Sequence, residues 1–230
     1  MSNMKYNGYD IKKMYYSGYT VTAAYSCGGY QVFSGETPTP SNKITITKTS
    51  DPSKTYSIAC NGSSVLTQAE VDECYNKVSG CCVHIDVGDC VTRIGSGASA
   101  MTQFMSSCLV SVTLPETLTD IGYSSFASCY ALQSVNIPSS ITTIKASAFH
   151  YSGIKSIDLH SRVNKIELYA FTDCTALESV IVRATTPPTL GGYAFDNTNN
   201  CPIYVPYGSV NAYKSASGWS NYANRIQAIQ

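Results

Sequence analysis

Residues 121–138 read IGYSSFASCYALQSVNIP, and two later stretches follow nearly the same wording: IKASAFHYSGIKSIDLH over 144–160 and IELYAFTDCTALESVIV over 166–182. Phenylalanines mark the period, at Phe104, Phe126, Phe149, Phe171 and Phe195, with spacings of 22, 23, 22 and 24 residues. Aligned on them is an apolar triplet L-x-x-V-x-L: Leu109/Val112/Leu114, Leu132/Val135/Ile137, Ile154/Ile157/Leu159 and Leu177/Val180/Val182. Seven residues past each of the first three triplets stand Ile121, Ile144 and Ile166. A degenerate earlier copy reads Cys82/Ile85/Val87 with Ile94, followed by a small insertion near 96–101, and a half-copy ends at Ile203 and Val205.

A fixed period of this size is the signature of a repeat architecture. Two apolar residues at i and i+2 define a short strand with one buried face. The Leu before them, and the Ile and Phe after, must turn inward from the rest of the coil. One such unit cannot bury its own apolar side, whereas stacked units bury a continuous column in which each contacts only its neighbours. Roughly five large apolar groups per coil turn inward, each worth on the order of 1.5–3 kcal/mol on burial. The expected fold is mainly β, a short solenoid of about six coils.

The triplets match the opening of the leucine-rich repeat. More specifically, the pattern A-F-x-x-C-x-x-L-x-S-V-x-I-P-x-S-I-x-x-I resembles the BspA-like leucine-rich repeats of gut and oral bacteria, over roughly residues 83–205. One departure is the missing Asn ladder after the strand, where Thr117, Ser140 and Arg162 stand instead. BspA-like repeats commonly lack it too.

The chain has 230 residues, 15 Lys+Arg against 15 Asp+Glu, and a formal net charge of zero. That balance argues against nucleic acid, which needs clustered cations to displace counterions. With 13% charged residues the chain is not a charge-extended disordered one. No apolar run approaches the roughly 20 residues that span a bilayer, so no membrane role is expected. The opening MSNMKYNGYDIKKMYYSGYT has no apolar h-region or small-residue cleavage site. The expectation is synthesis in a reducing cytosol without a signal peptide. There, disulfides among the 10 cysteines are uncommon.

Five segments are expected. Residues 1–34 carry Tyr6-Asn7-Gly8-Tyr9, Tyr16-Ser17-Gly18-Tyr19 and Ser26-Cys27-Gly28-Gly29-Tyr30, turn signals between alternating strands. They predict a β-meander of three or four strands, marginal alone and suited to an anchor through Tyr6, Tyr9, Ile11, Tyr16, Tyr19 and Val21. Residues 35–41 form a Pro/Thr linker. Residues 42–82 predict a hairpin around Asp51-Pro52-Ser53 and a helix over 67–77 opened by the box Thr67-Gln68-Ala69-Glu70. The solenoid occupies 83–205. Residues 206–230 form its C-terminal cap, with Ser209 as N-cap of a helix through Ala216, Gly218 as its stop, and Trp219, Tyr222 and Ile226 covering the last layer. Capping helices are thus expected at both ends.

Little in the sequence points to catalysis. Cys108, Cys129 and Cys174 follow the phenylalanines and read as small buried thiols. Cys60, Cys74, Cys81, Cys82 and Cys90 lack the C-x₂-C spacing of a zinc site, and disulfides among them formed after lysis stay open. His84, His150 and His160 lie in no H-E-x-x-H or C-x-x-C-H frame. Asp86 and Asp89 read as solvated strand-edge carboxylates. No catalytic residue, metal ligand or cofactor is expected, and the chain reads as a non-enzyme. A surface remains. Outward strand positions are Ser111, Ser134, Ser156 and Ser179, then Thr113, Asn136, Asp158 and Ile181. Past them stand His160, Arg162 and Arg183, and Tyr123, Tyr130, Tyr151, Tyr169 and Tyr193 decorate the rim. Tyrosine offers large contact area at low entropic cost. The recognition set is Tyr123, Tyr151, Asp158, His160, Arg162, Tyr169 and Arg183.

The N-terminal meander also resembles anchoring segments of structural proteins in phages of gut bacteria, crAss-like phages among them. The segments IACNGSSVLT and NNCPIYVPYGSVNAYKSASGWS resemble stretches flanking BspA-like repeats in those proteins. The resemblance implies a virion protein of a tailed bacteriophage: a fibre, decoration or appendage made in the host cytoplasm. Its partners would be other virion proteins and host surface polysaccharide or protein, and it would form a homo-oligomer, a trimer by analogy. The alternative is a bacterial cell-surface leucine-rich-repeat adhesin.

Overall fold

The structure is a computed structural model that describes residues 4–6, 9–11, 23–26, 29–32, 43–48, 51–59, 65–66, 83–95 and 109–230. Near the N-terminus β1 (Met4–Tyr6) pairs antiparallel with β2 (Tyr9–Ile11), and β3 (Ala23–Ser26) with β4 (Gly29–Val32). Among the described residues these four strands pair two by two; the chain between β2 and β3, on which the expected meander turns, lies outside the described residues. Of the anchor set, Tyr6, Tyr9 and Ile11 lie on β1 and β2, while Tyr16, Tyr19 and Val21 fall outside the described residues, as do the 35–41 linker, the 67–77 helix and the insertion.

Next, β5 (Lys43–Lys48) and β6 (Asp51–Ala59) form the expected antiparallel hairpin. Asp51-Pro52-Ser53 is not its turn: these residues start β6, beside a register shift at Thr47/Lys48. β6 ends the strand order of its sheet, where a proline without an N–H is tolerated. A two-residue strand, β7 (Val65–Leu66), follows.

From β8 (Val83–Asp86) onward the chain repeats strand, short strand, turn. The first row contains β8, β10 (Leu109–Thr113), β12 (Ser134–Val135), β14 (Ser156–Leu159), β16 (Ser179–Val182) and β18 (Ile203–Val205). The second row contains β7, β9 (Arg93–Ile94), β11 (Asp120–Ile121), β13 (Thr143–Ile144), β15 (Lys165–Ile166) and β17 (Thr189–Leu190). Every pairing between repeats in these rows is parallel and keeps the triplets aligned. Ile85 faces Val112 and Val112 faces Val135, while Ile157, Val180 and Ile203 are in line. Each repeat therefore pairs with the repeat before or after it, as the period requires. β5 joins the first row antiparallel to β8, setting Thr47 opposite His84 and Thr45 opposite Asp86.

The third side of each coil is a turn built around the phenylalanine. Its alternate N–H groups donate to the next coil: Ser124, Phe126 and Ser128 to the carbonyls of Ala146, Ala148 and His150. The same set runs from Ser147, Phe149 and Tyr151 to Leu168, Ala170 and Thr172. Inside, Phe126, Phe149, Phe171 and Phe195 are fully buried and stacked, with centroids 5.4, 5.3 and 5.2 Å apart. Both strand rows break once, between β12 and β14 and between β11 and β13. Side chains bridge nearby: the Asn136 amide meets both backbone groups of Leu114, and Lys145 Nζ lies 2.8 Å from Asp120.

The C-terminal segment lies against the last coil. A 3-10 turn, Tyr207–Ser209, leads into α1 (Val210–Ser215), and a second 3-10 stretch, Trp219–Arg225, leads into β19 (Ile226–Ala228). Ser209 makes no side-chain cap; its hydroxyl donates to Thr185 O at 2.7 Å in the preceding coil. Gly218 has φ 79° and its Cβ position would lie 3.1 Å from Leu190 O, so glycine is required there. Trp219 is buried, its ring 5.9 Å from Phe195, with Nε1 donating to Pro188 O at 2.7 Å. β19 adds a parallel strand to β18, a pairing the sequence reading did not anticipate.

Two substitutions test this packing. Phe149→Ala removes a ring from the middle of the column and is expected to cost about 3–5 kcal/mol. Gly153→Ala would set a Cβ 2.0 Å from the Tyr130 carbonyl oxygen of the preceding coil, and is expected to cost about 2 kcal/mol or more. Urea unfolding of the full chain reads both. Wild-type stability in Gly153→Ala would refute the close approach of these coils.

Candidate binding surface

Of the expected recognition residues, the structure joins Asp158 and Arg183. Their strands are neighbours, Ser156 opposite Ser179 and Asp158 opposite Ile181, and the guanidinium grips the carboxylate twice, Nε–Oδ1 2.8 Å and Nη2–Oδ2 2.6 Å. Both side chains are about half exposed, so the pair adds little to stability. His160 is spoken for: one ring nitrogen lies 2.9 Å from Pro138 O and the other 3.2 Å from the Arg162 amide nitrogen. Arg162 itself is exposed.

At the positions where an Asn ladder is missing, hydroxyls bridge coils instead. Thr117 Oγ1 donates to Asp89 O at 2.9 Å, and Ser140 Oγ to Leu118 O. On the outward strand face, Ser156 and Ser179 align in register while Asp158, Ile181 and Tyr204 continue the next row.

Tyrosines occupy the turns around the phenyl column. Two residues before and two after each Phe, the backbone is left-handed at all eight positions: Ser124 and Ser128, Ser147 and Tyr151, Tyr169 and Asp173, Tyr193 and Asn197, with φ from 54° to 60°. Tyr151, Tyr169 and Tyr193 are 45%, 38% and 58% exposed. Tyr169 and Tyr193 stack, centroids 5.4 Å apart. His150 links them to Tyr151, at 6.3 Å from Tyr169 and 4.4 Å from Tyr151. Tyr123 lies further along, under Lys145 Nζ at 5.2 Å. The structure thus separates the expected recognition set into an ion pair beside the strands and an aromatic strip on the turns. His150 and Tyr193 were not in the expected set. The signal for Tyr193 was present in the sequence, two residues before Phe195 as Tyr169 is before Phe171.

The other sequence candidates are structural. Ser111, expected on an outward face, is buried, as is His84. His84 Nδ1 lies 2.7 Å from Ser111 Oγ and Nε2 3.3 Å from Thr113 Oγ1. A serine beside a histidine resembles a nucleophile and its base, but this pair is buried, at 3% and 4% exposure. Burial pushes the His84 imidazole down to about 4. Asp86 is not a freely solvated strand-edge group: burial first, then Asp89, raises its carboxyl to about 6. Cys129, Cys174 and Cys201 form no disulfide and are buried. Burial pushes the Cys129 thiol up to about 12 and that of Cys174 to about 11, which leaves these two inert. Cys108 lies outside the described residues. Cys90 is disulfide-bonded. Among the described residues, no group of three or more metal-ligating side chains gathers and no helix is long and apolar enough to cross a membrane.

Residues 98–216 match a family model described as the BspA type leucine rich repeat region. That is more than half of the chain, and with the repeats seen above the chain belongs to the BspA-type leucine-rich-repeat family: mostly strands, few helices, a leucine-rich-repeat fold. No curated protein sequence matches it. A leucine rich cell surface protein from Faecalibacterium prausnitzii A2-165 is similar in structure, at TM-score 0.44 and 22% identity, over 63% of this chain and 38% of that one. A leucine-rich repeat protein from Bacteroides ovatus ATCC 8483 is similar at TM-score 0.40 and 20% identity, over 82% of this chain and 58% of that one. In each case the chain spans less than two thirds of the structure it matches.

The buried His84 and the half-buried Asp86 work against each other. His84 binds its proton more weakly folded than unfolded, so its contribution is intact above pH 6.5 and is lost as pH falls toward 4. Asp86 binds its proton more tightly folded, so stability is gained as pH falls from about 6 toward 3.8. From pH 7 to pH 5, His84→Gln is expected to gain about 2 kcal/mol and Asp86→Asn to lose about 1 kcal/mol relative to the unsubstituted chain. Denaturant midpoints at the two pH values measure this. Parallel shifts in all three proteins would refute the burial of both groups.

Proposed function

We propose that this chain is a non-enzymatic binding and structural protein of a tailed-bacteriophage virion, made in the host cytoplasm and displayed as a fibre, decoration or appendage. In this reading the repeats form a solenoid with covered ends, residues 1–34 fasten it to the particle, and its surface meets neighbouring virion proteins or the host surface. A homo-oligomer, a trimer by analogy with phage appendages, would carry several copies of that surface. The observation that carries the binding role is the division of labour within each coil. Apolar groups enter the column, and the exposed tyrosines and the Asp158–Arg183 pair remain for contact. The N-terminal resemblance to phage structural proteins supports the virion.

The second reading is a bacterial cell-surface adhesin of the same family. The Cys90 disulfide favours it, because disulfides form and persist in oxidising surroundings; a virion meets them only after lysis. The two readings separate by mass spectrometry of purified particles made with the full chain or with residues 1–34 deleted. The virion reading expects the full chain in particles and the deleted form absent. Absence of both forms would overturn it and leave the cell-surface reading.

A further inference from the structure

Tyr151, Tyr169 and Tyr193 hold a backbone conformation that L-residues other than Gly, Asn and Asp adopt only at a cost. The fold does not require tyrosine there. In the coils of Phe126 and Phe149 the same positions hold Ser124, Ser128 and Ser147 at the same φ. Rings that are strained, exposed and in mutual contact mark a functional surface better than a packing one.

We propose that Tyr151, Tyr169, Tyr193 and His150 form a binding strip for a neutral glycan chain running along the stack across three successive coils. This rests on the binding role proposed above and names its ligand class.

The strip's own chemistry selects that class. An extended peptide would need free backbone groups to pair with. Here the Tyr151, Tyr169 and Asp173 amides already donate to Thr172, Gly192 and Asp196 carbonyls at 3.0–3.1 Å. An anionic glycan or a phosphate would want an available cation. His150 instead faces Asp173 at 3.4 Å, and the same carboxylate accepts from Asn197 Nδ2 at 2.8 Å, so the polar groups beside the rings already engage one another. A globular partner needs about 800 Å² per side. Tyrosines offer roughly 150–250 Å² each even when wholly covered, so three half-exposed rings and an imidazole fall short. A sugar chain fits: its C–H faces suit the apolar rings, and its hydroxyls suit the phenols, the imidazole and the Asp173–Asn197 pair.

The test uses the full chain on an array of neutral, sialylated and sulfated glycans, followed by calorimetry with the neutral oligosaccharides that bind. The variants are Tyr169→Asn/Tyr193→Asn and, as control, Tyr207→Asn, which alters an 86% exposed side chain outside the strip. Asn197 shows that asparagine holds this φ, so the double variant keeps its fold and melts no lower. The proposal expects at least one neutral oligosaccharide to bind, at least tenfold more weakly in the double variant and unchanged in the control. Binding only to charged glycans, to none, or equally in the double variant would overturn it. If particles or cells are still bound while no neutral glycan is, the glycan assignment fails alone. If nothing is bound, the binding role fails with it. Attachment to cells stripped of neutral polysaccharide, yet lost in the double variant, would reassign the strip to a protein and overturn the proposal.

Discussion

Four phenyl rings stacked 5.2–5.4 Å apart set the rise from one coil to the next. A stacked ring fits only if the turn that carries it matches the turns above and below. That constraint accounts for the backbone around it. The residues beside each Phe alternate between N–H groups that reach the next coil and groups that bond within their own turn, and the left-handed φ on both flanks accompanies this alternation. The β-rows follow from the same rise, because parallel strands at this pitch keep Val over Val and Ser over Ser. In such a stack stability is carried by contacts between neighbours.

A stack of this kind has two ends, and they are met differently. At the N-terminal side the hairpin of β5 and β6 extends the sheet, running antiparallel to the repeat strands. At the C-terminal side, aromatic and cationic groups meet the last coil's backbone. Tyr222 Oη accepts from the Phe195 N–H and donates to Asp196. Tyr213 Oη donates to Ala184 O, and the Arg225 guanidinium reaches the carbonyls of Cys201 and Phe195. A buried polar group without a partner costs more than a typical hydrogen bond contributes, so these contacts matter as much as the burial of Trp219. Where the second strand row breaks between β11 and β13, the Asp120–Lys145 pair bridges the two coils.

The repeat was legible because its apolar positions are few, large and evenly spaced. Phe126, Phe149 and Phe171 and most triplet residues could be placed inside from spacing alone, Val135 and Ile137 being only partly buried, and Trp219 at the end of the stack from its position after the last repeat. Other features had no such signal. Ser111 read as outward by alternation, yet it is buried; a two-residue period says which face a side chain takes, not whether that face is covered. Asp51-Pro52-Ser53 has the composition of a turn but starts a strand, since proline is also at home at a sheet's edge. Ser209 has the right residue type for an N-cap, but its hydroxyl finds the Thr185 carbonyl instead. The aromatic strip was half visible. The tyrosines were counted as a rim, but their contact through His150 depends on the φ at which the turns hold them.

The alternate N–H groups at and beside each phenylalanine point one way, each donating to the coil that follows toward the C-terminus. Every coil therefore offers its successor the same socket and its predecessor the same plug. The C-terminal segment reads the last socket mainly through a phenyl ring, backbone carbonyls and one backbone N–H, which every coil possesses. Length in such a molecule is quantised. Whole coils of 22–24 residues can be gained or lost by recombination between copies, and the joints on either side would still match. Reach could then change by one coil at a time while the terminal segments stay as they are.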